Sequence, residues 1–161
     1  MEINNNKNNL FTVSIVGLGG IGLFYQTKTN LSAGFRSHTS AFENNANYTI
    51  WAGYDPNQDH LAVFSEACGA ATFDNLTDFC DFGLPDLLVI SSPTAAHLKN
   101  IEFILSRGTV RFILCEKPLS DSLEDSRKII EICREKNVEL FVNYTRRVDP
   151  GFLEIEKRIS D

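Results

Sequence analysis

Phe11-Thr12-Val13-Ser14-Ile15-Val16-Gly17-Leu18-Gly19-Gly20-Ile21-Gly22 is a β-branched run that breaks into a G-x-G-x-x-G turn. In such a turn the first glycine permits the tight bend and the second lets a pyrophosphate approach the backbone. The third lets a helix pack closely on the strand. The helix expected from Gly20 onward then meets the phosphate charge with unpaired N–H groups and the positive end of its dipole. Glycine-rich turns are common, so the pattern alone also fits a plain strand-to-helix turn; its place after a strand is what points to a dinucleotide.

The partner of that turn is an acidic residue closing the second strand, where it accepts hydrogen bonds from a ribose 2′-OH. Asp55, after Trp51-Ala-Gly-Tyr54, fits, the alternative being a turn former before Pro56. It stands 33 positions beyond Gly22, against the usual ~20, and the polar stretch from Gln26 to Asn47 accounts for the excess by lengthening the first crossover. A carboxylate there repels a 2′-phosphate, so NAD is favoured over NADP.

Outward from this unit the pattern alternates. Apolar runs at 11–16, 48–54, 87–91, 110–115 and 138–142 are mostly too continuously apolar for a sheet wetted on one side and read as buried parallel strands. Helical stretches lie between them at 57–68, 95–107 and 123–136, closed by Gly69, Gly108 and Asn137, with Thr94 and Ser122 as N-caps of the last two. In the last of these, Leu123, Ile130 and Cys133, with Ile129 beside them, form an apolar stripe. A minor strand at 70–73 and a helical turn at 76–82 complete the pattern. Such alternation implies an α/β, doubly wound parallel sheet, the Rossmann fold, with right-handed crossovers. Beyond it, Asp149-Pro150 opens a helix with Phe152, Ile155 and Ile159 on one face.

The composition agrees. A length of 161 residues is one domain's worth of chain, and 43% hydrophobic with 22% charged residues is ordinary for a globular protein. Fifteen basic against 21 acidic residues give a net charge of -6, and the twelve basic residues after position 80 interleave with fourteen acids. No nucleic-acid groove is expected. The four cysteines, 12, 35 and 18 positions apart, match no zinc spacing and read as buried thiols, with no metal site. Residues 1–10 read as a frayed tail without the positive leader of a signal peptide, and no apolar stretch reaches the ~20 residues that span a membrane. Residence in the cytoplasm is the expectation.

Two further motifs fall at carboxyl ends of parallel strands, where open α/β sheets bind ligands: Ser91-Ser92-Pro93-Thr94-Ala95-Ala96-His97 and Cys115-Glu116-Lys117-Pro118. Taken alone, His97 fits a packed or capping histidine, and Glu116-Lys117 a surface pair. Together with the glycine turn, Asp55-Pro56 and Asn143-Tyr144-x-Arg146-Arg147-x-Asp149-Pro150, they resemble the N-terminal domain of the glucose-fructose oxidoreductase and inositol dehydrogenase (Gfo/Idh/MocA) family over about residues 11–159.

The resemblance implies NAD(P)-dependent oxidation or reduction at a carbinol carbon of a sugar, cyclitol or related compound. It makes Lys117 the catalytic residue, placed on the substrate oxygen to manage its proton. A general acid/base works best with a pKa near the working pH, which for an amine asks for burial, so a buried Lys117 is expected. It further implies that Gly17, Leu18, Gly19, Gly20, Ile21, Gly22 and Asp55 hold the cofactor, with Ser91, Ser92 and Thr94 against it. Glu116 and His97 are then expected along the nicotinamide ribose, and Asn143 near the nicotinamide. Arg146 and Arg147 either face the substrate or solvate the start of the last helix.

Full-length members of that family are roughly twice as long, with a second, sheet-rich domain that holds the substrate. The expected division is therefore a tail at 1–10, a dinucleotide-binding domain at 11–148 and the start of a connection at 149–161. A sugar-like substrate then binds only in a full-length form, and the domain alone turns nothing over. Two other readings stay open. One is a stand-alone NAD-binding regulator whose last helix docks a partner or a second copy; the other is a methyl-donor site, since methyltransferases share the glycine loop and the acidic second-strand end.

Overall fold

The computed structural model describes residues 10–24 and 37–160. Residues 1–9, read above as a frayed tail, lie outside the described residues, as do residues 26–36 of the polar stretch. Six strands, β1 (Phe11–Val16), β2 (Tyr48–Tyr54), β3 (Ala71–Phe73), β4 (Leu87–Ile90), β5 (Phe112–Cys115) and β6 (Glu139–Val142), form one sheet in the order β3-β2-β1-β4-β5-β6. Every pairing is parallel. The order reverses between β1 and β4, so the crevice outside their carboxyl ends is the expected ligand position. The fold read from the sequence is the one observed.

Helices cover both faces because the strands are apolar on both sides. On one face Val13, Ile15 and Val89 pack with Leu61 and Phe64 of α2 (Gln58–Cys68). On the other, Val16, Leu88, Ile90 and Ile113 meet three helices: α3 (Leu76–Phe82) through Phe79, α4 (His97–Arg107) through Ile101 and Ile104, and α5 (Leu123–Glu135) through Ile129. The last helix, α6 (Pro150–Ser160), leaves Phe152, Ile155 and Ile159 47%, 52% and 79% exposed. Among the described residues no helix is long and apolar enough to cross a membrane.

Local expectations fare unevenly. Ser122 caps α5 by accepting from the Asp125 amide, Gly69 closes α2 at φ 66°, and Asn137 follows α5 at φ 54°. Thr94, by contrast, lies in a 3-10 turn (Thr94–Ala96), so Ala96 precedes α4 and caps it with no side chain. Gly108 is extended, at φ 179°, not left-handed. The buried stripe of α5 runs through Ile129 and Cys133, one turn apart, while Leu123 and Ile130 are exposed. All four cysteines are free, Cys68 half-buried and the others buried.

The expected helix from Gly20 is replaced by something more informative. A single helical turn forms, with Leu23 N donating to the Gly19 carbonyl (2.9 Å). The carbonyls of Ile21 and Gly22, which residues 25 and 26 of a continuing helix satisfy, instead accept from the amides of His38 (2.9 Å) and Thr39 (3.0 Å). Thr39 Oγ1 adds a second bond to the Gly22 carbonyl, at 2.7 Å. Helix α1 (His38–Glu43), capped by Ser37, thus resumes the ladder where the turn leaves it. The sequence between Phe24 and His38 holds 13 residues, and without them the separation of 33 between Gly22 and Asp55 becomes 20.

Candidate functional site

The glycine turn and the β4 end are locked together at the switch point. Gly17 sits at φ +95°, and a Cβ there would overlap the backbone of Ser91 and Ser92; a Cβ on Gly22 would overlap the Gly17 carbonyl. Ser91, itself buried, donates from Oγ to that carbonyl at 2.7 Å. Gly19 is different, because a Cβ built on it meets nothing within 4 Å. Neither its φ nor its protein neighbours ask for glycine. The amides of Gly19, Gly20, Ile21 and Gly22 donate to no acceptor among the described residues, which is the anion-binding condition of a helical first turn.

Asp55 closes the other side. Its Oδ2 accepts from the Leu18 amide at 2.7 Å and its Oδ1 from the Asn57 amide at 2.9 Å, which fixes a 7%-exposed carboxylate against the glycine turn. Asp55, Gly17, Gly19, Gly20, Ser91 and Ser92 line one cleft of about 540 Å³. Leu18 turns its side chain into the core. Ile21, Gly22 and Thr94 stand outside the lining.

A second cluster lies at the ends of β5 and β6. Glu116 Oε1 is met by His38 Nε2 at 2.8 Å and by Asn143 Nδ2 at 2.5 Å, while Oε2 accepts from the Lys117 amide at 3.3 Å. Burial raises the Glu116 pKa, but the hydrogen bonds from His38 and Asn143, the His38 charge and the Lys117 amide outweigh it. The carboxyl is held below its usual range. Through these contacts Glu116 brackets α1 and the ends of β5 and β6. Lys117 beside it is exposed, contrary to the burial expected for it, and its amine has no partner among the described residues.

His97 has a similar inward role. It is 1% exposed; Nε2 lies 2.9 Å from the Ser92 carbonyl, and Nδ1 lies 3.1 Å from the Leu119 carbonyl and 3.4 Å from Cys115 Sγ. Burial and the Glu116 carboxylate push the Cys115 thiol up to about 12, so it stays protonated. The ring thus lies between the segment after β4 and the segment after β5. Arg146 packs over the Phe152 ring at 5.5 Å, in a groove it shares with Arg147 and Glu156 beside α6.

Two site residues escaped the sequence reading. His38 was hidden by the 13 residues before it; the excess of 13 positions before Asp55 was its signal, since removing 25–37 puts His38 three places after Gly22. His60 lies on the first turn of α2 and reaches back to Asp55, with Nδ1 3.2 Å from Oδ2.

Residues 11–144 match the family described as an oxidoreductase family with an NAD-binding Rossmann fold, GFO_IDH_MocA. The chain belongs to that family. Among curated relatives, the inositol 2-dehydrogenase of Rhizobium meliloti is 29% identical over 126 residues, covering 77% of this chain and 37% of the relative. The glucose-6-phosphate 3-dehydrogenase of Bacillus subtilis is 24% identical over 135 residues, covering 84% and 34%. The WlbA dehydrogenase of Bordetella pertussis, solved with NADH and UDP-GlcNAcA, superposes with a TM-score of 0.78 at 24% identity over 94% of this chain and 42% of that one. This family member thus spans well under half the length of these relatives, and NAD is the coenzyme by which its domain is described.

Proposed function

We propose that this domain is the coenzyme-binding part of an oxidoreductase that acts on a CH–OH group of a sugar, cyclitol or related compound, with NAD preferred over NADP. The observation that carries it is Gly19, a glycine that nothing among the described residues requires, set among four amides without an acceptor in those residues and beside the Asp55 carboxylate. A diphosphate fits that surface and a ribose hydroxyl fits the carboxylate. The bound nicotinamide supplies hydride transfer. The chain's own residues position it: the glycine turn receives the diphosphate, Asp55 takes the ribose hydroxyls, and the Glu116 bracket holds the backbone of Lys117 at the β5 edge. Lys117, exposed and unpaired, is the group that donates a proton to, or withdraws one from, a substrate oxygen at its amine. The roughly sixty percent of the relatives' length not matched here is where we place the substrate pocket, so turnover belongs to the longer protein.

Titration with NADH, NADPH and S-adenosylmethionine tests this. Saturable enhancement of NADH fluorescence that is lost in Asp55→Ala is expected, and preference for the methyl donor would sink the reading. The exposed Phe152, Ile155 and Ile159 favour a second reading, an NAD-binding module whose α6 docks a partner. A monomer at high concentration that binds no apolar dye removes it.

A further inference from the structure

The cleft contains a second ionisable group beside Asp55. His60 is the third residue of α2, and its Nδ1 approaches Asp55 Oδ2 to 3.2 Å. The approach is out of line for a hydrogen bond, so this buried nitrogen has no hydrogen-bond partner among the described residues. The ring stands edge-on to Phe24 of the glycine turn, with centroids 5.0 Å apart, and lines the same cleft as Gly19 and Asp55. A bare nitrogen lone pair facing a carboxylate oxygen at this distance is repelled, so the ring tautomer with its hydrogen on Nδ1 is the one that suits Asp55. Imidazole is also the side chain whose charge changes between pH 5 and 8. Among the described residues Asp55 is the ionisable group that faces the ring, from the end of β2; Phe24 is apolar, and Asp59 is the ring's neighbour on α2.

We propose that His60 is a coenzyme-selecting residue, which with Asp55 forms a charge pair at the ribose end of the cleft that rejects a 2′-phosphate when the ring is neutral and admits one when the ring is protonated. The pair carries one negative charge in the first state and none in the second. A 2′-phosphate adds close to two negative charges at neutral pH, so one unit of charge at the site weighs heavily on NADPH and little on NADH. The inference rests on the dinucleotide reading of the cleft.

Fluorescence titrations with NADH and NADPH from pH 8.0 to 5.5, on the wild-type chain, His60→Gln and His60→Phe, test it. The phosphate itself titrates near pH 6, so some gain for NADPH on acidification is expected in every variant. The His60 contribution is the difference: the ratio of the NADPH to the NADH Kd is expected to fall about tenfold further in the wild type than in either variant. His60→Phe keeps a ring against Phe24 and guards against a packing artefact in His60→Gln. Equal slopes in all three chains overturn the proposal while leaving the coenzyme assignment standing. Absence of binding by both nucleotides at every pH overturns the two together.

Discussion

The carboxyl ends of β1 and β2 and those of β5 and β6 handle polar groups in opposite ways. At the first, four amides of the glycine turn find no acceptor in the described chain, Gly19 leaves open space, and Asp55 is fixed in position while lining the cleft. At the second, Glu116, Asn143, His38 and His97 satisfy one another or nearby carbonyls, and only the Lys117 amine among them is left exposed and unpaired. The first leaves donors open to the cleft, and the second closes its polar groups on one another. Residues of similar chemistry therefore have different work in the two regions, and substitutions can separate binding from scaffolding.

The largest effect is expected at Gly17. A side chain there meets both a left-handed φ and the Ser91–Ser92 backbone, so Gly17→Ala is expected to lose more than about 2 kcal/mol of stability. Thermal unfolding reads this as a drop of several degrees. Gly19→Ala sharpens the comparison: its melting temperature stays within a degree or two, while the Kd for NADH rises at least about tenfold. Unchanged NADH affinity in Gly19→Ala would remove the argument that a ligand is what asks for that glycine.

In the other region, Glu116→Gln leaves the His38 and Lys117 donors with a weaker acceptor and is expected to cost about 1–2 kcal/mol at pH 7 in denaturant melts. The sign of its pH dependence follows from the carboxyl's lowered pKa. On acidification the unfolded chain takes up that proton first, near the ordinary 4.5, so the stabilisation is full above that value and is lost as the pH falls through the lower folded one. The gap between wild type and Glu116→Gln should close below about pH 4.5; a gap that stays constant from pH 7 to 3.5 contradicts a charged bracket.

The smallest effect is expected at Lys117. Exposed and unpaired, it contributes within about 0.5 kcal/mol to stability, so Lys117→Met should melt and bind NADH like the wild type. In a longer protein that carries this domain, the same substitution should abolish turnover.

Much of this was legible in the chain's order. The strand-turn unit 11–22, the β-branched runs and the closing Gly69 and Asn137 specified a doubly wound parallel sheet, because hydrophobic period and left-handed caps are local properties. The glycine turn and Asp55 were readable for the same reason. Caps were less secure: Thr94 and Gly108 have the right residue types, but neither adopts the cap geometry.

The sequence by itself determined the layers and the sheet's parallel character, since each follows from neighbours a few residues apart. Only the tertiary structure decided which polar side chains line the cleft and which face each other. His38 and Glu116 are 78 positions apart, and Ser92 and Leu119 meet through His97, so their pairing depends on how helices settle across the sheet. The bonding that brings His38 into the place of residue 25 is likewise a matter of which amide reaches an open carbonyl in space. Buried polar atoms must find partners, and the partners they find are set by the packed fold.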